Sequence, residues 1–176
     1  MANRTIQPVL ASQPLLLRPL TLREMAPLRD GRLDRVEPHI DPDALTGDTL
    51  AAIGKKVEKM ELARPADHPW YTYWLIVDKV AGTGVGFVGF KGPPDADGLV
   101  EVGYGVSPNC RGRGFMTEAL RLLVRWAASF PTCSGITALQ VFNENLGSQR
   151  VLTNCGFALS ASREDSGDHI FRFDSR

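Results

Sequence analysis

The residues Arg111-Gly112-Arg113-Gly114 stand between a β-like segment ending at Val106 and a run that opens Phe115-Met116-Thr117-Glu118. Two arginines and two glycines in that order suit the binding of an anion. The first amides of a helix have no intrahelical acceptor and lie at the positive end of the helix dipole, so a phosphate placed there is held by the backbone itself. Glycines let the ligand approach closely, and the arginines add charge. Leu120, Leu123, Val124 and Ala127 recur at helical spacing after the loop, which gives the helix a buried face. A basic turn that merely caps an ordinary helix can carry the same letters, because short glycine-rich patterns also arise by chance.

A second group of residues follows the apolar segment Ile136 to Phe142. In Asn145-Leu-Gly-Ser148-Gln-Arg-Val151-Leu152-Thr-Asn-Cys-Gly156-Phe157, Asn145 can cap a helix, Val151 and Leu152 can face a core, and Gly156 can supply the left-handed turn that ends it. By contrast, Gly84-Val-Gly86-Phe-Val-Gly89 is a literal GxGxxG in the wrong setting for a dinucleotide. That fingerprint needs a helix opening at its glycines, whereas this segment continues as Phe87, Val88 and Phe90 and ends at Gly92-Pro93-Pro94, as a glycine-rich strand would.

The loop and the Asn145 to Phe157 segment, in this order, resemble the GCN5-related N-acetyltransferase (GNAT) superfamily, and within it the RimJ and RimL type of branch. Arg111 and Gly114 occupy the positions of the superfamily's acyl-coenzyme-A pattern, with Met116 where the pattern has a small residue. The resemblance runs from about Trp70 onward. It implies an acetyl-CoA-dependent N-acetyltransferase of the acyltransferase class that moves acetyl directly to a primary amine, either a protein N-terminal α-amine or a small-molecule amine. No metal is required. The implied cofactor contacts fall on Arg111, Gly112, Arg113, Gly114, Phe115 and Met116 for the diphosphate, and on Asn145 for the pantetheine arm. A homodimer is also compatible with the family.

Acetyl transfer from a thioester needs a neutral amine, a polarised carbonyl and a proton for the departing thiolate. An α-amine has a reference pKa of about 7.7–8.0 and a lysine one of about 10.4, so the acceptor must lose a proton before it attacks. In the strand Val100-Glu101-Val-Gly-Tyr-Gly-Val106 the resemblance assigns that proton to Glu101, which the residues alone also allow to be a solvent-facing position alternating with Val100 and Val102. Ser148 is the matching donor to the thiolate, or else a first-turn serine bonding its own backbone. Amides among Tyr104, Gly105 and Val106 would polarise the carbonyl if this strand parts from the next. Gly103 and Gly105 would permit such a distortion, since glycine inside a strand marks a bulge or a close approach. Tyr104 either lines that cleft or packs in the core. A non-catalytic acyl-CoA-binding or sensing module on the same fold is the rival reading.

These residues must be carried by a frame. Pro14 to Arg18 reads as a strand, Thr21 to Leu28 as a helix opening on a hydroxyl cap, and Leu50 to Leu62 as a helix bordering the acceptor side. Trp70 to Val77, Val85 to Phe90, Leu99 to Val106 and Ile136 to Phe142 read as strands, with a closing hairpin from Phe157 through His169 to Phe173. Strands in runs with helices between some of them predict an α/β (α+β) fold, a mixed central sheet with helices on both faces. That is also the architecture of the superfamily.

The chain has 176 residues and 43% hydrophobic content, enough for one domain spanning 1–176. Twenty Lys plus Arg balance twenty Asp plus Glu, which argues against nucleic acid as a partner. The start Met-Ala-Asn-Arg-Thr-Ile-Gln-Pro lacks the apolar run of a secretory leader, and no apolar run is long enough to cross a membrane, so a soluble protein is expected. Cys110, Cys133 and Cys155 lack disulfide or zinc spacing, which fits the cytoplasm. His39, His68 and His169 form no ligand set, and Cys110 and Cys155 read as bystanders, Cys110 with some reactivity beside the helix start.

Overall fold

The structure, a computed structural model, describes residues 8–175; the first seven residues, on which the leader expectation rests, lie outside them. Strands β1 (Leu10–Ala11), β2 (Leu15–Pro19), β3 (Trp74–Asp78), β4 (Thr83–Phe90), β5 (Leu99–Val106), β6 (Gly135–Phe142), β7 (Ala158–Arg163) and β8 (Asp168–Asp174) form one sheet in the order β1-β2-β3-β4-β5-β6-β8-β7. Every neighbouring pair is antiparallel except β5 and β6. Helices α1 (Leu22–Arg29), α2 (Gly47–Leu62), α3 (His68–Tyr71), α4 (Phe115–Ala128) and α5 (Leu146–Asn154) complete the fold. Among the described residues, no helix is long and apolar enough to cross a membrane.

Alternation along the strands divides the core in two. Leu15, Leu17, Trp74, Ile76, Val88, Phe90, Val100 and Val102 turn to the face covered by α4, whose Leu120, Leu123, Val124 and Ala127 are buried there as their spacing predicts. Leu75, Val77 and Phe87 turn to the other face and meet Met25 and Leu28 of α1 with Ile53, Val57 and Met60 of α2. Helices therefore lie on both faces of a mixed sheet, as expected. The first helix starts where Thr21 and Glu24 cap each other reciprocally, and Gly156 ends α5 with a positive φ of 86°.

One expected strand is shorter. Of Trp70 to Val77, only Trp74 onward is extended, and His68–Tyr71 is the short helix α3. Pro69 suits the first turn of a helix, and the Trp70 ring packs 4.5 Å from Trp126 and 5.4 Å from Phe90. Its aromatic character serves the core rather than a ladder. The GxGxxG segment is indeed strand β4, where a Cβ on Gly86 would lie 2.5 Å from the Gly105 carbonyl oxygen.

The parallel junction determines where a ligand can enter. Strands β5 and β6 pair only at Leu99 with Gly135, Val100 with Ile136 and Glu101 with Thr137. Beyond Glu101, β5 stays with β4 and β6 stays with β8, so among the described residues the two strands part. A bulge between Ala138 and Val141, with Gln140 at a φ of 56°, bends β6 at that point.

Candidate active site

The tip of α4 has the form expected of an anion site. Gly114 is the N-cap with φ 80°, and no side chain bonds the first-turn amides. Gly112 is also left-handed, and the space where a Cβ would stand at either glycine is open. Phe115 and Met116 are buried in the core beneath the helix, so the long side chain at the pattern's small position does not fill that space. The two arginines differ. Arg113 is held by the buried carboxylate of Asp78 at 3.3 Å and lies 4.8 Å over the Phe115 ring, whereas Arg111 is exposed and its side chain has no hydrogen bond or ion pair among the described residues.

The register of β5 explains which of its groups face the opening. Lys91 donates its amide to the Glu101 carbonyl, and Ser107 donates its amide to the Val85 carbonyl, so the odd-numbered residues bond β4. The amides of Tyr104 and Val106 consequently point across the gap toward β6. By the same alternation Gly105 turns its amide to β4, so of the three expected polarising positions two present an N–H to the cleft.

Side chains on β5 alternate too. Glu101, Gly103 and Gly105 face α2, with the Gly105 position 3.7 Å from the Thr49 hydroxyl. Tyr104 faces the opposite side, where its hydroxyl lies 2.7 Å from Ser148 Oγ on α5. Asn145 accepts the Ser148 amide at 3.0 Å and so caps α5 as anticipated. Burial, reinforced by the nearby Cys155 thiol and opposed by the Ser148 bond, pushes Tyr104 up to about 12. It keeps its proton near neutrality. Glu101 and Ser148 thus stand on opposite faces of one strand, with the parted edge between them.

Sequence reasoning missed the partners of Glu101. Lys91, its neighbour across β4, forms an ion pair with it, and the Glu101 side chain is 23% exposed. Behind them Lys56 of α2 is buried and donates to the carbonyls of Tyr71, Thr72 and Phe90 while lying 4.5 Å from the centre of the Tyr73 ring. Burial, then the ammonium groups of Lys59 and Lys91, lower Lys56 to about 7, with Glu101 opposing. A lysine inside an amphipathic helix gives no signal of its own; only the facing periodicity of Ile53, Val57 and Met60 places Lys56 inward.

Two of the cysteines and two of the histidines have surroundings of their own. Burial raises Cys155 to about 11, and its Sγ contacts the Thr117 carbonyl at 3.3 Å. Cys110 is buried beneath the loop and does not present an accessible thiol. His169 pairs with Ser162 at 2.9 Å on the closing hairpin, and His39 lies exposed before β3.

Known proteins resemble this chain in sequence and in fold. Residues 14–158 match the family described as the acetyltransferase (GNAT) domain. An uncharacterized N-acetyltransferase, YjdG of Bacillus subtilis (strain 168), is 41% identical over 87 residues, which span 49% of this chain and 51% of that protein. The match therefore covers about half the length of this curated relative. RimL, a ribosomal L7/L12 α-N-protein acetyltransferase solved with coenzyme A, superposes with a TM-score of 0.66 at 15% identity over 95% of this chain and 98% of its own. An acetyltransferase (GNAT family) from Bacillus anthracis superposes with a TM-score of 0.63 at 14% identity over 96% and 99% of the two chains. At such identities the likeness is one of fold.

Proposed function

Given that the chain belongs to the GNAT acetyltransferase domain family, we propose that it transfers acetyl from acetyl-CoA to a primary amine, on a protein N-terminus or a small molecule. The observation that carries this reading is the parting of β5 and β6 after Glu101, which opens an edge of backbone amides beside the uncapped tip of α4. The diphosphate rests on the loop from Arg111 to Met116, with Arg111 as its cation, and the Asn145 segment borders the pantetheine arm. The amides of Tyr104 and Val106 stabilise the carbonyl oxygen as charge develops on it.

Glu101 takes the proton of the acceptor amine, whose nitrogen then bonds the carbonyl carbon. The carbon–sulfur bond breaks, the now cationic nitrogen loses its second proton, and the thiolate takes up a proton by way of the Ser148 hydroxyl, which the Tyr104 hydroxyl holds in place at 2.7 Å. A thiol of pKa about 8.5 leaves readily, so this proton contributes less than the one Glu101 removes. The chemistry fits a soluble protein in the cytoplasm, where acetyl-CoA and free amines meet.

The engagement of Glu101 by Lys91 favours one alternative, a module that binds acyl-CoA without turning it over, because Lys91 occupies the carboxylate that an acceptor amine would have to reach. One experiment separates the two: calorimetry with coenzyme A, followed by thiol release from acetyl-CoA over peptides with free α-amines and a panel of small amines. Binding with amine-dependent thiol release supports the transferase. Binding without release from any amine leaves the module, and no binding refutes both.

A further inference from the structure

Between α2 and the sheet lies a cavity of about 230 Å³, on the face to which Glu101 points. Its floor is Tyr73, Gly89 and Gly103, and the absent side chain of Gly103 leaves open space where a Cβ would stand. Its lining includes Lys55, Lys56, Lys59 and Lys91 with a single acidic residue, Glu58. Glu101 sits on the same strand face as Gly103 and holds Lys91.

An acceptor that arrives protonated must displace Lys91 before it can give its proton to Glu101. A simple cation such as a polyamine would leave the Lys91 ammonium without a partner and bring more positive charge beside Lys55 and Lys59. A zwitterion does neither. Its ammonium takes the place of Lys91 on Glu101 while its carboxylate takes the place of Glu101 on Lys91, so both halves of the broken ion pair are satisfied. Lys59 reinforces the arrangement, because its donation to the Lys91 carbonyl at 2.8 Å fixes a second ammonium at the same rim. The Tyr73 ring and the bare backbone at Gly103 offer the space between those charges to a small apolar stem.

We infer that this cavity is the acceptor site and that it selects a primary amine bearing its own carboxylate a few bonds away, as in a free amino acid or the α-amine of a peptide with an acidic second residue. The assignment rests on the acetyltransferase reading for its chemistry, but not for its binding.

The test compares isosteric pairs. Phenylalanine against phenylalaninamide, and Ala-Asp-Ala-amide against Ala-Asn-Ala-amide, are titrated calorimetrically into protein saturated with coenzyme A, with spermidine as the cationic control. At least one carboxylate-bearing member binds about tenfold more tightly than its amide partner, and Lys91→Met brings that pair within about twofold. Which pair shows the difference identifies an amino acid or an acidic peptide end as the source. Equal binding within both pairs, tighter binding of spermidine, or discrimination that survives in Lys91→Met overturns the proposal, and the wild-type comparison decides it even if that variant fails to fold. A preferred amine that binds yet releases no thiol from acetyl-CoA would instead sink the transferase reading while leaving the cavity assignment standing.

Discussion

At the scale of single residues, the chemistry depends on a carboxylate whose reach was legible in the sequence and whose partner was not. Glu101 could be placed on a strand ahead of the loop from its neighbours Val100, Val102 and Gly103, and the structure puts it on the face opposite Tyr104. Lys91 could not be found that way, because it meets Glu101, ten positions away, only through the register of β4 on β5, which neither residue's immediate neighbours fix. The same holds for the contact between Tyr104 and Ser148, separated by 44 positions. Replacing Glu101 by Gln preserves shape and hydrogen bonding but removes the proton acceptor. Turnover at neutral pH should fall by about 10²–10⁴-fold while coenzyme A affinity stays within about twofold, as read by thiol release and calorimetry together. Wild-type turnover in that variant would remove Glu101 from the mechanism.

At the scale of elements, the α4 tip was the most legible part of the site because its determinants are contiguous. Glycine at the cap and a following apolar period are written in one stretch, and strand β5 was read at its observed bounds for similar reasons. The segment before β3 was misread because Trp70 and Tyr71 resemble strand residues until Pro69 and the aromatic packing are considered together. Gly114→Glu should abolish coenzyme A binding, since it forces a side chain onto a backbone with φ 80° and places a negative charge at the amides meant for a phosphate. Circular dichroism should show a folded protein, and calorimetry no heat of binding. The two arginines of the loop make a finer comparison. With Arg113 committed to Asp78, Arg111→Ala should weaken coenzyme A binding by roughly tenfold, whereas Arg113→Ala should act more on thermal stability than on affinity. The opposite ranking would mean that Arg113 leaves Asp78 when the ligand arrives.

At the scale of the whole molecule, the helices α1 and α2 form a layer that must be fixed to the sheet for any cavity to exist between them, and Lys56 is one of the fixings. Its three donors meet the carbonyls of Tyr71 and Thr72, just before β3 begins, and of Phe90, the last residue of β4, so it ties α2 to the ends of both strands. Burial lowers Lys56 from its ordinary value of 10.5 to about 7. Below pH 7 folded and unfolded chains both hold the proton, and the cost of burying the ammonium is borne in full. Between pH 7 and 10.5 the unfolded chain binds a proton that the folded chain has released, so this residue makes stability rise with pH. Cys155, raised to about 11, and Tyr73 and Tyr104, raised to about 12, act in the other direction because each loses stability as pH climbs past its ordinary value. The window from pH 7 to 9 isolates the lysine. Lys56→Met removes the titration and leaves three carbonyls unpaired, so urea unfolding should find the variant less stable than wild type by a gap that widens across that window, by up to about 1.4 kcal/mol per pH unit. A constant gap would mean that the three carbonyls hold the proton on Lys56 throughout, and that the layer above the acceptor cavity is anchored by a permanent charge.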